Sequence, residues 1–245
     1  GGPAYYIQMA LKQNWLATLF ASVLILTYMG GFNLLASFNV ADAFTHYSWA
    51  NEWTPWIIGA ILAVLMAGSI FGGTRRLTDV TGLLVPVMAI IYLGVGLVVV
   101  ALNYQNIPAM FSAIFAGAFD FQAIFGGFAG SAMMYGIKRG LYSNEAGVGS
   151  APNAAASASV SHPAKQGLVQ MLSVFIDTMV ICTLTAFVVL SSGVGEDGGV
   201  TGAPLVKDAM ATVLGQPVAQ VFISVALFLF AFTTLVGNFY YAEVN

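Results

Sequence analysis

The residues best placed to do chemistry in this sequence are few, and they interrupt apolar runs. Phe125-Gly126-Gly127-Phe128-Ala129-Gly130 puts three glycines into five positions. Each weakens a helix by about 1 kcal/mol relative to alanine. A break at membrane depth bares N–H and C=O groups, which are tolerated only where they line a cavity or are buried in protein. Transporters use such broken helices to hold substrate near the bilayer midplane. Small residues also serve close helix packing, so composition leaves both readings open. Ala231-Phe232-Thr233-Thr234-Leu235-Val236-Gly237-Asn238 carries adjacent hydroxyls, hard oxygen ligands suited to a small cation. Sodium needs several more oxygens, and carbonyls of a broken helix can supply them. The alternative is that each threonine bonds back to a carbonyl of its own helix. Asn238 falls one turn after Thr234 and shares its face, which points to a polar interior.

Asp177 lies in a third apolar run. A carboxylate at that depth costs several kcal/mol unless paired, neutralised or hydrated, and it marks a functional candidate; a structural hydrogen bond explains it equally well. Asn33 and Asn39 occupy the far end of the first run, facing either a pore or an outer loop. The stretch Lys138-Arg139-Gly140-Leu141-Tyr142-Ser143-Asn144-Glu145-Ala146-Gly147-Val148-Gly149-Ser150-Ala151-Pro152-Asn153 is dense in turn formers. It lacks a Walker pattern and reads as an inner gate or hinge, or as a simple capping turn. His46 and His162 have no metal-spaced partner, and Cys182 reads as packing.

The elements that carry these residues follow from composition. Of 245 residues, 59% are apolar and 7% charged, against roughly 45–50% and 25% in soluble domains. Seven Lys+Arg against ten Asp+Glu give no basic face for nucleic acid. One cysteine cannot form an internal disulfide or a cysteine-based metal site. The class left is an all-α polytopic membrane protein. Runs of about 20 apolar residues predict spans near Trp15–Phe38, Pro55–Gly72, Gly82–Leu102, Phe121–Ile137, Gly167–Leu190 and Val218–Tyr241. This places Lys12, Arg75, Arg76, Lys138, Arg139 and Lys165 on one side and only Lys207 on the other. The positive-inside rule makes the first side cytoplasmic. Ile107–Ala118 and Gly202–Leu214 are too short to span and are expected as helices lying across the outer mouth, or as plain connecting loops. The start at Gly1-Gly2-Pro3 and the stop at Glu243-Val244-Asn245 lead to the expectation of an internal piece of a longer protein.

Several segments together resemble the alanine or glycine:cation symporter family. They are GLYSNEAGVGSAPNAAA followed by HPAKQGLVQMLSVFIDT, the opening GGPAYYI, the FGGTRR turn, the GGFAG break and FAFTTLVGNFYYAE. They occur in the family's order and cover essentially the whole chain. The resemblance implies the five-plus-five inverted-repeat fold of sodium-coupled amino-acid symporters. Residues 1–245 would be one incomplete transporter domain holding core helices three to eight. The Gly126, Gly127, Phe128 and Gly130 stretch would then be the unwound sixth helix at the substrate, and Thr233 and Thr234 the side-chain part of a sodium site. Two positions depart from the alanine and glycine carriers. Asn238 stands where some members have Trp, and Ala36 where an Asn-x-x-Gln beginning at Asn33 has its Gln. Both would face substrate, and Asn for Trp enlarges and polarises a pocket.

The expectation is sodium-coupled symport of small neutral amino acids, alanine or glycine, across the cytoplasmic membrane by alternating access. Glutamine or serine is the alternative cargo. Asp177, Asn144 and Glu145 are candidate gating or coupling residues. The partners are the amino acid, the sodium ion and the lipid bilayer, with no nucleic acid, no other cofactor and no enzymatic chemistry. A passive channel would show a continuous polar stripe along several spans, whereas the polar positions here are isolated. An intramembrane enzyme would need a nucleophile with a base, or a metal-ligand set, and no HExxH is present.

Overall fold

The structure, a computed structural model, describes residues 1–45, 47–71, 73–121, 132–195 and 199–244, with backbone alone at 73–80. Every regular element among these residues is helical. In chain order they are α1 (Pro3–Leu11), α2 (Asn14–Leu26), α3 (Asn33–Thr45), α4 (Thr54–Ile70), α5 (Gly73–Leu102) and α6 (Ile107–Ala118), followed by α7 (Ala132–Ser143), α8 (Ser150–Ala156), α9 (Pro163–Phe175), α10 (Thr183–Ser192), α11 (Ala203–Leu214) and α12 (Gln216–Glu243). A π-helical segment, Thr27–Phe32, joins α2 to α3, and a second, Ile176–Cys182, joins α9 to α10. Helix starts follow local chemistry. Proline stands in the first turn of α1, α4, α6, α9 and α11, where its fixed φ suits the helix and its missing N–H is not needed. Gly193, at φ 69°, ends α10 in the left-handed conformation that glycine adopts without a Cβ penalty.

Four continuous helices are long and apolar enough to cross a membrane: Asn14–Thr45, Thr81–Leu102, Pro163–Ser192 and Gln216–Glu243. At most 33% of any of their apolar windows is buried within the chain. So much outward-facing Leu, Val and Phe suits lipid, since soluble monomers rarely expose large contiguous apolar patches. These helices match the expected first, third, fifth and sixth spans. The second is α4, 17 residues and apolar, a little shorter than the usual span. Most of the expected fourth span, including the glycine run, lies outside the described residues; α7 carries its end on to Ser143. The two short outer segments are helices, α6 and α11. Sequence reading did not anticipate α1 or the π segments.

The chain divides into two compact units: Gly1–Tyr92 with Pro152–Ala158 and Pro217–Asn245, and Leu93–Ala151 with Ser159–Gln216. In the first, Val40 of α3, Ile58 and Leu62 of α4, and Phe232, Leu235 and Val236 of α12 form one buried cluster. In the second, α5 meets α10 closely: a Cβ at Gly96 would lie 2.8 Å from Leu184 Cδ2 and 3.1 Å from its Cγ. Phe111 of α6 packs edge-on to Phe187, and Asn106 Nδ2 donates to Ser191 O at 2.7 Å. Because Leu184 is itself buried, Gly96→Val is expected to cost about 1–3 kcal/mol through overpacking. A melting curve in detergent that matches wild type would refute that contact.

Candidate functional site

Polar side chains gather in two places, one in each unit. In the first unit, the π segment Thr27–Phe32 contains Gly30-Gly31 and closes directly before Asn33. A π turn inserts a residue into the helical register, and such insertions recur at functional sites. Asn238 of α12 donates from Nδ2 to Asn33 Oδ1 at 2.9 Å, and Asn238 is only 2% exposed. Ala36, one turn after Asn33, packs against the apolar cluster. Two of the expected substrate-facing residues, Asn33 and Asn238, are therefore brought together, with Ala36 on the neighbouring apolar cluster. Beyond that bond, the amide pair carries a further donor group at Asn33 Nδ2 and a further acceptor at Asn238 Oδ1.

Thr233 and Thr234 lie one turn earlier on α12. Thr233 is buried and Thr234 exposed, and both hydroxyls donate to Phe230 O, at 2.9 and 2.8 Å. The back-bond considered from sequence is thus present. It spends only the hydroxyl protons, and each oxygen keeps its lone pairs for a cation. Gly126, Gly127, Phe128 and Gly130 lie outside the described residues.

In the second unit, α7 ends at Ser143, whose Oγ donates to the Asp177 carboxylate and lies 3.6 Å from Cys182 Sγ. Asp177 and Cys182 are five positions apart, the π-helical repeat, so the π segment turns both toward one hydroxyl. Asn144 Nδ2 donates to Thr178 Oγ1 and to Gly140 O, each at 2.9 Å. Glu145 adopts φ 46°, the left-handed region that tightens the turn, with its N–H donating to Tyr142 O at 3.1 Å. Two of the candidate gating residues, Asp177 and Asn144, are joined to each other's helices through Ser143 and Thr178, partners that sequence reading missed. Cys182, expected as packing, is exposed. His162 caps α9, its Nδ1 accepting from Ala164 N at 3.1 Å. Among the described residues, no group of three His, Cys, Asp or Glu is placed to hold a metal ion.

The chain is similar to known proteins along its whole length. The family model described as the sodium:alanine symporter family matches residues 1–245. The chain is 44% identical over 245 residues to the amino-acid carrier protein AlsT of Bacillus subtilis, covering 100% of this chain and 51% of that protein. It is 40% identical over 245 residues to the probable sodium/glutamine symporter GlnT of the same organism, covering 100% and 50%. It is 37% identical over 252 residues to the sodium/alanine symporter AgcS of Methanococcus maripaludis, covering 99% and 54%. The chain spans about half the length of the curated relatives it matches.

Proposed function

The chain belongs to the sodium:alanine symporter family, and from that premise we propose that the protein carries a small neutral amino acid inward with sodium across the cytoplasmic membrane. The observation that carries this reading is an amide pair, half-buried Asn33 with buried Asn238, held between two helices long and apolar enough to span. Polar residues within spans face the bundle interior or a cavity and mark substrate or ion pathways. The bared peptide dipoles expected at Gly126, Gly127, Phe128 and Gly130 grip the substrate carboxylate. The hydroxyls of Thr233 and Thr234 contribute to the sodium site. Sodium binds first and orders the site, and α11 helps close it from outside. Opening on the inner side releases both, with the Ser143–Asp177 and Asn144–Thr178 bonds steadying the inner end of α7. No bond in the substrate is made or broken.

Alanine and glycine are the first cargo. Glutamine is favoured as a second by the Asn33–Asn238 pair, because the amide donor and acceptor groups it carries beyond their shared bond match a carboxamide. One relative, 40% identical, bears the name of a probable sodium/glutamine symporter. The deciding experiment is uptake of labelled alanine by the full-length protein with sodium replaced by choline. Uptake is expected to fall roughly tenfold or more, since the ion supplies the driving force and orders the site. Uptake that survives the exchange would reject sodium coupling.

A further inference from the structure

Resting on the symporter reading above, we propose that Gly1-Gly2 and Asn153–Ala156 form a size-matched latch that opens and closes in each transport cycle. The chain leaves the second unit at Ala151, contributes Pro152–Ala158 to the first, and returns to the second at Ser159. This strap, most of α8, lies against Gly1-Gly2, the residues that lead into α1. A Cβ at Gly2 would lie 1.8 Å from Asn153 Oδ1 and 2.9 Å from its Cγ, so the amide rests directly on the glycine backbone. A Cβ at Gly1 would stand 3.5 Å from Ala156 Cβ. Gly2, Pro3 and Ala4 are buried.

Asn153 is 0% exposed, and neither its Oδ1 nor its Nδ2 has a hydrogen-bond partner among the described residues. Buried polar atoms are nearly always paired, and an exception calls for a physical reason. Here docking seats Asn153 on Gly2 and Ala156 beside Gly1 while stranding an amide that water would satisfy once the strap lifts. Attraction and penalty oppose each other in the same contact, which is how a two-position element is built. The loop cations place α1 and the segment after Lys138-Arg139 on the cytoplasmic side, the side on which cargo must be released. Undocking of the strap belongs to that step.

The test uses the full-length protein in a Cys182→Ser background, with Gly1→Cys and Ala156→Cys added together. The 3.5 Å separation falls within the roughly 3.5–4.5 Å that a disulfide requires between Cβ atoms. Mild oxidation is expected to join the two cysteines and to cut sodium-dependent uptake about tenfold, with recovery on reduction, because one of two needed positions is locked. A crosslink that forms and leaves uptake unchanged overturns the latch, as does failure of the pair to crosslink. Size matching is read separately. Gly2→Ala is expected to lower the crosslinking yield of the cysteine pair, and adding Asn153→Ala, which removes both obstructing atoms and leaves the 3.8 Å contact to the Asn153 Cα, is expected to restore that yield. A double variant no better than Gly2→Ala would also sink the idea. Absence of sodium-dependent uptake in the unmodified protein defeats the symporter reading instead, while the crosslinking yield still reports on the docking.

Discussion

Replacing Thr233 and Thr234 together by alanine is expected to weaken sodium activation of uptake about a hundredfold, which corresponds to roughly 2.7 kcal/mol of lost ion binding. Sodium is held by oxygen atoms, and removing two hydroxyls from one site leaves the remaining ligands to bear the cost of dehydrating the ion. The hydroxyls of this pair donate to Phe230 O, so their lone pairs stay available and the back-bond does not compete with ligation. The fold should survive, because alanine is the better helix former and the surrounding cluster of Phe232, Leu235 and Val236 is untouched. Two measurements separate ion binding from damage. Sodium should stabilise the unaltered protein by about 2.7 kcal/mol at a hundred times its dissociation constant, and the double variant should lose that sodium-dependent rise in melting temperature while keeping its melting temperature in choline. Thr233→Ser with Thr234→Ser, which keeps both oxygens, should restore activation. A double alanine variant with an unchanged sodium titration would remove these residues from the ion site.

What could be read from residues alone depended on how local the cause was. The long apolar runs declared themselves because a bilayer demands apolar length, and Asn14–Thr45, Pro163–Ser192 and Gln216–Glu243 overlap the expected spans. Helix α1 escaped notice because nine residues with Tyr5, Tyr6 and Gln8 among them have neither the length nor the hydropathy of a span. The π segments were invisible for another reason: an inserted residue is tolerated only when tertiary partners reward the altered register, and those partners are distant in sequence. Ser143 and Asp177 are 34 positions apart, so each could be flagged for its own polarity but not for the other. Asn33 and Asn238 show the same limit more strongly, separated by 205 positions. Their types marked them as candidates, and the resemblance to symporters set both at the substrate, but only the packing of α3 against α12 joined them. Asn153 carried no signal at all within its turn-rich surroundings; its meaning arises from the missing side chain of Gly2.

Asn238→Leu is expected to lower glutamine uptake about a hundredfold while alanine uptake falls only severalfold, because a site built to bond a polar group rejects by far more than one that merely excludes volume. Leucine keeps the approximate shape of asparagine but removes both the donor that Asn33 Oδ1 accepts and the acceptor offered to a substrate carboxamide. Some loss of stability must accompany it, since a polar atom left unpaired in buried surroundings costs about 1–3 kcal/mol. That cost falls on every cargo alike, so the ratio of glutamine to alanine uptake, not either rate alone, reports on recognition. Asn33→Leu together with Asn238→Leu supplies the control. Removing both partners relieves the stranded oxygen and should recover much of the melting temperature, yet it should leave glutamine as poorly carried as before. If instead the two cargoes decline in parallel in the single variant and recover in parallel in the double, the amide pair is a structural clasp between α3 and α12, and selection of the amino acid must reside elsewhere.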